Sequence, residues 1–321
     1  MEDIVCPECN TKIDISIVDI HHMLCEKPVI LAKPVISKPV IEEPGIFGKI
    51  YAAASGYYNS FTAPVSSTAT EVKKTVVQVI DIWTPIQTAA IEYSFKKSKI
   101  FARNTTYDVE IMWGNNNFNI LDLPKVINLI KSAPTIIHFK LEKLYPYLNK
   151  DNRYQNLFET GSGGGCLDQN IRSKWEEVLF NKLYTPATPR ERVKYGCLNL
   201  YNSQKGVQTA YGYGDSYIVL KDNLKNRTSF VVGDSSAQEI HIATFESCEH
   251  ILLHLNVDTI TNMIKIVNGT EPNNTNYMYV EAQIHGDIVF TRDVEKLILN
   301  KRHKKDANML KSIKDIPYEF Y

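Results

Sequence analysis

Tyr277 to Phe290 read Tyr-Met-Tyr-Val-Glu-Ala-Gln-Ile-His-Gly-Asp-Ile-Val-Phe, and this stretch predicts a β-strand. The period of two along a strand assigns to one face Met278, Val280, Ala282 and Ile284, and to the other Tyr279, Glu281, Gln283 and His285. The first face requires a core, and the second combines a carboxylate, a carboxamide and an imidazole as a site would. Pattern alone favours a half-buried edge strand. Gly286 permits a bulge or turn, after which Asp287 to Phe290 are expected to continue the sheet.

The composition gives no electrostatic reason to expect a nucleic acid partner. The 321 residues include 36 Lys plus Arg and 36 Asp plus Glu, so the formal net charge is zero. This length predicts one large domain and a minor one. No run of 18 apolar residues appears, and the N-terminus lacks the basic and then apolar pattern of a signal peptide. We therefore expect a soluble, cytoplasmic protein without stable membrane insertion, in the host cytoplasm if it is a viral or bacterial effector.

Four residues near the N-terminus have the spacing of zinc ligands. Cys6-Pro-Glu-Cys9 is followed after eleven residues by His21-x-x-x-Cys25. A helix over Asp14 to Glu26 places His21 and Cys25 on one face, with His22 as a competing ligand one residue out of phase. Because so short a segment cannot form a sufficient core, we predict a structural Zn²⁺ in a finger over residues 1–26, bound by Cys6, Cys9, His21 and Cys25. The alternative is reduced cysteines in a disordered tail.

This finger resembles the small ubiquitin-binding zinc fingers of DNA-repair proteins, which share the Cys-Pro-x-Cys start and the His-x-x-x-Cys end on a helix. The resemblance implies ubiquitin as a partner, although Met23 stands where that family commonly has an acidic residue. Residues 27–45 repeat Lys-Pro-Val-Ile and predict an extended, proline-rich linker. The finger is therefore expected to be a tethered module.

Residues 46–150 predict a helical region in which we find nothing catalytic. Apolar residues at helical spacing run as far as Trp83, and Pro85 is expected to kink or end that helix. Two further helices are predicted over Asp122 to Ser132 and Thr135 to Leu148.

Residues 151–321 predict an α+β domain with a mainly antiparallel sheet. A helix over Asn170 to Leu183 precedes the strands, which are predicted over Arg190 to Leu200, Tyr211 to Leu220, Arg227 to Val232, Ile251 to Val257 and the stretch quoted above. Several of these strands end in an Arg, Ser, Asp or Tyr, and such convergence raises the odds of a site. The cluster Gly161 to Gly165 predicts either a phosphate-binding loop or a merely flexible one.

Six motifs follow one another in this region: Phe158-Glu-Thr-Gly161, Arg172-x-x-Trp-Glu-x-x-Leu-Phe180, Arg192-x-x-Tyr-Gly196, Tyr213-Gly-x-Ser-Tyr217, Arg227-Thr-x-Phe-x-x-Gly-Asp-Ser235 and Glu281-Ala-Gln-Ile-His-Gly286. Together they resemble a family of bacterial and viral domains of unknown function, over roughly Arg153 to Asn300. We relate that family to effector enzymes that ADP-ribosylate ubiquitin on threonine. The resemblance implies an ADP-ribosyltransferase-like antiparallel β domain that uses NAD.

The resemblance also implies roles for individual residues. Glu281 matches the catalytic glutamate of ADP-ribosyltransferases, and Gln283 is the alternative within the Glu-x-Gln motif. His285 is expected to orient the acceptor hydroxyl or to act as a base, with a structural role, the commoner one for a histidine at a strand end, as the alternative. The residues implied in NAD binding are Arg192, Tyr195, Gly196, Tyr213, Ser216, Asp234 and Ser235.

Three of these assignments carry a specific expectation. Arg192 matches the arginine whose planar fork holds the phosphate or ribose oxygens of NAD. The serine of the family is either Ser216 or Ser235, and the aromatic that stacks on nicotinamide is Tyr195 or Tyr213.

These features favour a mono-ADP-ribosyltransferase that modifies a protein hydroxyl, with ubiquitin as the preferred acceptor. Cleavage of the bond between nicotinamide and ribose develops oxocarbenium charge, which a fixed carboxylate stabilises. The alternatives are a non-catalytic ubiquitin-binding adaptor and an NAD glycohydrolase.

Overall fold

The computed structural model describes residues 4–5, 12–13, 83–148, 152–163, 165–236, 241–313 and 315–321. The chain divides into two compact units, Met1–Val77 and Gln78–Tyr321. In the first unit, strand β1 (Ile4–Val5) pairs antiparallel with β2 (Lys12–Ile13). The four predicted zinc ligands, the proline-rich linker and the predicted helix before Trp83 lie outside the described residues.

The second unit contains nine α-helices within its described part. They are α1 (Pro85–Asn104), α2 (Thr106–Asn115), α3 (Leu123–Ser132), α4 (Leu141–Leu148), α5 (Leu157–Thr160), α6 (Gln169–Leu179), α7 (Val257–Val267), α8 (Phe290–Asp293) and α9 (Ala307–Ser312). The helix predicted over Asp122 to Ser132 is confirmed as α3. The helix predicted from Asn170 is confirmed as α6, which ends at Leu179 and not at Leu183.

An eight-stranded sheet forms the centre of this unit. Its strands are β3 (Thr135–Phe139), β4 (Lys194–Leu198), β5 (Ser216–Leu220), β6 (Thr228–Val232), β7 (Ala243–Thr244), β8 (Val280–Ile284), β9 (Val294–Leu299) and β10 (Tyr318–Phe320). They lie side by side in the order β10, β9, β5, β3, β4, β8, β6, β7. All neighbours are antiparallel except β10 and β9, so the predicted α+β class and mainly antiparallel sheet are confirmed.

The helix predicted over Thr135 to Leu148 is wrong in its first half. Thr135–Phe139 is strand β3, which lies between β5 and β4 with all five residues buried. A short apolar run does not by itself distinguish a buried strand from a buried helix, and the β-branched residues Ile136 and Ile137 suit the sheet. The sheet therefore takes one of its central strands from the region that was expected to be helical.

Pro85 begins a helix, and the prediction that it kinks or ends one is wrong. It is the first residue of α1, where the missing N–H group of proline has no helical partner to lose. The Thr84 hydroxyl accepts a hydrogen bond from the Gln87 amide, and the Gln87 side chain accepts one from the Thr84 amide. This capping box fixes the start of α1.

The strand predicted over Ile251 to Val257 is also wrong. Residues Glu249–Leu253 form a 3₁₀ turn, and α7 begins at Val257. Asn256 caps that helix because its side chain accepts a hydrogen bond from the Thr259 amide at 2.8 Å. The apolar run that suggested a strand therefore packs as a turn and a helix start.

Strand β8 is a central strand and not the half-buried edge strand that pattern alone favoured. It pairs with β4 on one side and β6 on the other, and all five of its residues are buried. Gly286 follows with a φ of 75°, so the chain turns there. Beyond the turn Val289 forms a single bridge to Arg153, and α8 begins at Phe290, so the expected continuation of the strand does not occur.

No helix in the described ranges is long and apolar enough to cross a membrane.

Candidate active site

A cleft opens where two neighbouring strands of the sheet diverge. Strand β3 pairs with β4 only through Thr135 with Leu198 and Ile136 with Cys197. It pairs with β5 as far as Phe139, so beyond Ile136 the strand follows β5 and leaves β4. The resulting open cleft has an empty volume of about 1270 Å³, which includes the solvent at its mouth.

The walls of the cleft come from distant parts of the sequence. They include the end of β3 and the start of α4, parts of the segments 154–163 and 165–166, one side of α6, strand β4 and the start of β8. Six of the predicted site residues line it: Tyr195, Gly196, Tyr213, Asp234, Ser235 and Glu281. Four others, Arg192, Gln283, His285 and Ser216, do not line it.

The sheet register places Glu281 among side chains of the neighbouring strands. Directly opposite Glu281 are Cys197 on β4 and Val231 on β6. In the next row Gln283 lies opposite Tyr195 and Ser229. Because directly opposed residues in an antiparallel sheet share a face, these six side chains form two rows on one face.

Glu281 is a buried carboxyl group at the base of the cleft. Only 5% of the residue is exposed, and its Oε1 accepts hydrogen bonds from the Ser235 amide at 3.3 Å and from the Gln283 Nε2 at 3.0 Å. The pKa of Glu281 is raised to about 7, chiefly by burial and also by nearby Asp234, against the lowering effect of the hydrogen bonds from Ser235 and Gln283. Both the protonated and the ionised form are therefore accessible near neutral pH.

A left-handed glycine brings Ser235 to Glu281. Gly233 directly follows β6 and has a φ of 80°, and its amide donates to the Tyr279 carbonyl at 2.7 Å. The chain then crosses the end of β8, where the Asp234 side chain accepts from the Ser236 amide at 2.8 Å and shapes the turn. Of the two candidate serines, Ser235 is therefore the one beside Glu281.

Ser216 lies elsewhere in the sheet. It is fully buried in β5 opposite Phe139, and its hydroxyl accepts a hydrogen bond from the Asn300 amide at 3.1 Å. That bond ties β5 to the chain after β9. Ser216, which the resemblance implies in NAD binding, therefore does not line the cleft.

Arg192, which the resemblance implies in NAD binding, makes its contacts within the protein and does not line the cleft. Its guanidinium donates to Glu176 Oε2 at 2.6 Å and stacks on the Phe158 ring at 4.5 Å. Only 8% of Arg192 is exposed, and Glu176 is fully buried. Burial raises the pKa of Glu176 to about 7 against the opposing effect of Arg192. This ion pair fastens the segment before β4 to α6.

Arg172 is the arginine that lines the cleft, and the residue-by-residue assignment missed it. Its Nε donates to the Cys166 carbonyl at 2.7 Å, and its guanidinium lies over the Tyr195 ring at 5.2 Å. The signal was present in the Arg-x-x-Trp-Glu motif, in which Trp175 also lines the cleft. The side-chain period does not indicate this role, because Arg172 lies on helix α6 and the implied arginine, Arg192, lies beside strand β4.

Gly165 lies closely packed at one side of the cleft. A Cβ atom on Gly165 would lie 3.1 Å from Arg172 Nη2 and 3.2 Å from the Tyr213 ring. Gly161 has a φ of 65° and ends α5 in the left-handed conformation. These two glycines therefore have packing and capping functions, and Ser162 and Gly163 between them border the cleft.

Gly196 is also a glycine for steric reasons. A Cβ atom there would lie 2.5 Å from the carbonyl oxygen of Ile136, the last residue of β3 to pair with β4. The absence of a side chain lets the two strands meet next to the point where they diverge. Gly196 borders the cleft, and this close approach is reason enough for glycine at the position.

Gln283 and His285 lie on the Glu281 face of β8 but are covered by protein. Gln283 is fully buried, and His285 is 1% exposed. The ring nitrogens of His285 are both engaged, Nδ1 by the Tyr184 hydroxyl and Nε2 by the Ser229 hydroxyl. His285 therefore lies within the protein, as the structural alternative expects, and Glu281 is the member of the Glu-x-Gln motif that lines the cleft.

The cleft offers both charge and aromatic surface to a ligand. Lys143, Lys140 and Arg172 are cationic groups in its lining, and Tyr213 and Tyr279 contribute aromatic rings. Such a lining suits an anionic ligand with a planar group. Within the described ranges no three His, Cys, Asp or Glu side chains are placed to hold a metal ion.

Comparisons with known proteins agree with the resemblance in its coarse form. Residues 141–274 match a family described as "Protein of unknown function (DUF3626)". The chain is also similar to the "Gene 2 protein" of Mycobacterium phage D29, with 25% identity over 161 residues, which is 46% of this chain. The similarity spans 58% of that phage protein. The chain is therefore similar to a family of unknown function and, separately, to a viral protein.

Proposed function

We propose that this protein is an NAD-dependent mono-ADP-ribosyltransferase that modifies a hydroxyl side chain of a protein, with ubiquitin as the preferred acceptor. The observation that carries the proposal is Glu281, a carboxyl group held at the base of an open cleft by the Ser235 amide and the Gln283 carboxamide. The carboxylate is fixed in position before any ligand arrives. Such preorganisation is what stabilisation of a developing positive charge requires.

The proposed reaction breaks the bond between nicotinamide nitrogen and ribose C1′. The bonding electrons leave with nicotinamide, which becomes neutral, and C1′ gains oxocarbenium character. Ionised Glu281 stabilises that charge and holds a ribose hydroxyl. The acceptor oxygen then bonds to C1′, and its proton passes to solvent or to a nearby base.

The remaining lining of the cleft has groups suited to the rest of NAD. The Arg172 guanidinium is held by the Cys166 carbonyl and the Tyr195 ring, which leaves it oriented for phosphate oxygens. Lys143 is exposed nearby in the same lining. Tyr213 and Tyr279 supply rings for the nicotinamide or the adenine. In this proposal Arg172 takes the phosphate-binding role for which Arg192 was a candidate.

The N-terminal sequence supports ubiquitin as the acceptor. Cys6, Cys9, His21 and Cys25 form a donor set that suits a tetrahedral Zn²⁺. We include this structural zinc in the proposal, and the proline-rich linker would keep a ubiquitin-binding finger attached to the catalytic unit. Tethering raises the effective concentration of acceptor at the cleft.

The test is the intact mass of ubiquitin after incubation with the purified full-length protein and NAD. We expect a mass gain of one ADP-ribosyl group that is absent with Glu281→Gln. Glu246→Gln is the matched control because Glu246 is exposed and does not line the cleft.

The other outcomes distinguish the alternatives. NAD consumption without any labelled protein would indicate a glycohydrolase. Ubiquitin binding without NAD turnover would indicate an adaptor. Full activity of Glu281→Gln would contradict the proposed chemistry, whatever the acceptor.

A further inference from the structure

We propose that Tyr184, His285, Ser229 and Gln283 form a one-directional hydrogen-bond chain that positions the Glu281 carboxyl group. In this inference the four are positioning residues, and none of them contacts the ligand. The importance of the chain for catalysis rests on the proposed function, whereas its effect on Glu281 does not.

The chain runs without interruption across buried side chains. The Tyr184 hydroxyl lies 2.8 Å from His285 Nδ1, and His285 Nε2 lies 3.3 Å from the Ser229 hydroxyl. The Ser229 hydroxyl donates to Gln283 Oε1 at 3.1 Å, and Gln283 Nε2 donates to Glu281 Oε1 at 3.0 Å. Tyr184 at the far end is fully buried and does not line the cleft.

The hydrogen-bonding capacity of each group fixes the direction. An ionised Glu281 only accepts hydrogen bonds, so Gln283 donates an amide hydrogen to it, Gln283 Oε1 is the acceptor and Ser229 must donate to that oxygen. Ser229 has a single hydrogen, so it accepts from His285, and Nε2 therefore carries the proton of the ring. Nδ1 is then the acceptor, and Tyr184 donates to it. Each member specifies the orientation of the next.

Burial keeps this arrangement in one state. The pKa of His285 is lowered to about 3, first by burial and then by the nearby charges of Arg227 and Lys194, so the ring stays neutral at physiological pH. Arg227 Nη1 also donates to the His285 carbonyl oxygen, and the Phe180 ring packs edge-on against the imidazole at 5.2 Å. With the ring neutral and Glu281 ionised, reversal of the chain would lose the hydrogen bond between Gln283 and the carboxylate, because a carboxylate has no proton to donate.

The chain orients Glu281 and does not conduct protons. A carboxamide donates through nitrogen and accepts through oxygen, and Gln283 would have to become an imidic acid to pass a proton onward. Its amide interrupts any proton path between His285 and Glu281. What the chain transmits is the choice of which end of Gln283 faces the carboxyl group.

The pH at the midpoint of the Glu281 titration should therefore depend on Ser229, His285 and Tyr184, the more distant members of the chain. A donated hydrogen bond stabilises the ionised carboxylate, and a reversed Gln283 would present its oxygen and favour the protonated form. The other titratable groups that act on Glu281 lie on β4, β8 and the loops beside them: Cys197, Tyr195, Tyr279, Tyr213 and Asp234. None of these is altered in the variants below.

The test is the titration of Glu281, followed by NMR in protein labelled with ¹³C at the glutamate carboxyl carbon. The signal is assigned by its loss in Glu281→Gln. Ser229→Ala removes the link at the centre, and Tyr184→Phe removes the donor at the far end. We expect each to raise the midpoint by about half to one pH unit, on the scale of one hydrogen bond.

Two controls remove hydrogen bonds elsewhere, one buried and one half-buried. Ser94→Ala removes a buried serine that donates only within α1, and Tyr201→Phe removes a hydroxyl that donates to the Thr259 carbonyl. Both should leave the midpoint within 0.2 pH units of the wild type, roughly the precision of one titration. An unchanged midpoint in folded Ser229→Ala and Tyr184→Phe would overturn the proposal.

A measurement on the wild type covers the case in which the variants do not fold. The ¹⁵N shifts of His285 report its tautomer, and the proposal requires a proton on Nε2 and none on Nδ1 at a pH about two units above the Glu281 midpoint, where the carboxyl group is ionised. A proton on Nδ1 would overturn it. If the midpoint moves as expected but wild-type protein neither consumes NAD nor labels ubiquitin, the chain stands and the proposed function fails.

Discussion

The buried ion pair between Arg192 and Glu176 provides a test of whether Arg192 supports the fold or binds the substrate. The two groups meet at 2.6 Å, with side-chain exposures of 10% for Arg192 and zero for Glu176. Arg192→Met keeps much of the packing volume but leaves Glu176 without its cation. Removal of one partner from a buried pair costs about 3–5 kcal/mol in the free energy of unfolding. In a unit of this size the melting temperature should fall by roughly 6–20 °C.

A second substitution should reverse much of that loss. In Arg192→Met with Glu176→Gln the buried charge is gone, and the glutamine oxygen still accepts a hydrogen bond from the Tyr195 hydroxyl, which donates to Glu176 in the wild type at 3.2 Å. We expect the double variant to recover at least half of the lost stability, with a coupling energy of about 2–3 kcal/mol between the two positions. Urea unfolding followed by tryptophan fluorescence measures both quantities.

Activity of the double variant then decides the role of Arg192. If the guanidinium serves only the ion pair, kcat/KM for NAD should stay within about threefold of the wild type, since less than 0.7 kcal/mol of transition-state stabilisation is at stake. A double variant that is stable but more than roughly 30-fold less active, about 2 kcal/mol, would refute our reasoning. Arg192 would then be a ligand-binding residue despite its contacts here.

Three further expectations follow from the cleft and its surroundings. Arg172→Met should raise KM for NAD about 10- to 100-fold, the value of a charge-assisted hydrogen bond, and leave the melting temperature nearly unchanged; unaltered NAD kinetics would exclude Arg172 from phosphate binding. Gly196→Ala should lower the free energy of unfolding by about 1–3 kcal/mol, measured in urea, because its Cβ would lie 2.5 Å from the Ile136 carbonyl oxygen. Burial lowers the pKa of His138 from 6.5 to about 4, so the neutral ring contributes stability that is complete above pH 6.5 and lost as the pH falls through 4. This amounts to about 3 kcal/mol, and His138→Gln should therefore lose less stability than the wild type between pH 7.5 and 4.

Local pattern was sufficient to predict several elements of the second unit. The period of two at Val280 to Ile284 identified β8 and the face that carries Glu281. Amphipathic spacing identified α3 and α6, and cross-strand pairing of β4, β6 and β8 agreed with a mainly antiparallel sheet. These predictions succeeded because each depends on the side-chain period of a single segment.

Other features depend on contacts between distant segments, which no local pattern encodes. The run from Thr135 to Phe139 is a strand because β5 and β4 receive it, and the same five residues would suit a buried helix. The choice between Ser216 and Ser235 depends on the turn at Gly233. Arg192 lies just before β4, where the resemblance implies a substrate-binding arginine. Only the position of α6 shows that its guanidinium pairs with Glu176.

The central place of β3 has a practical consequence for anyone dividing this protein into fragments. The family match covers residues 141–274, which begin after β3 and end before β8. A fragment cut at those limits would lack Glu281 and would expose the paired edges of β5, β4 and β6 to solvent. Unpaired strand edges recruit other chains, so such a fragment should aggregate. An expression boundary near Gln78, where the second compact unit begins, keeps the sheet whole.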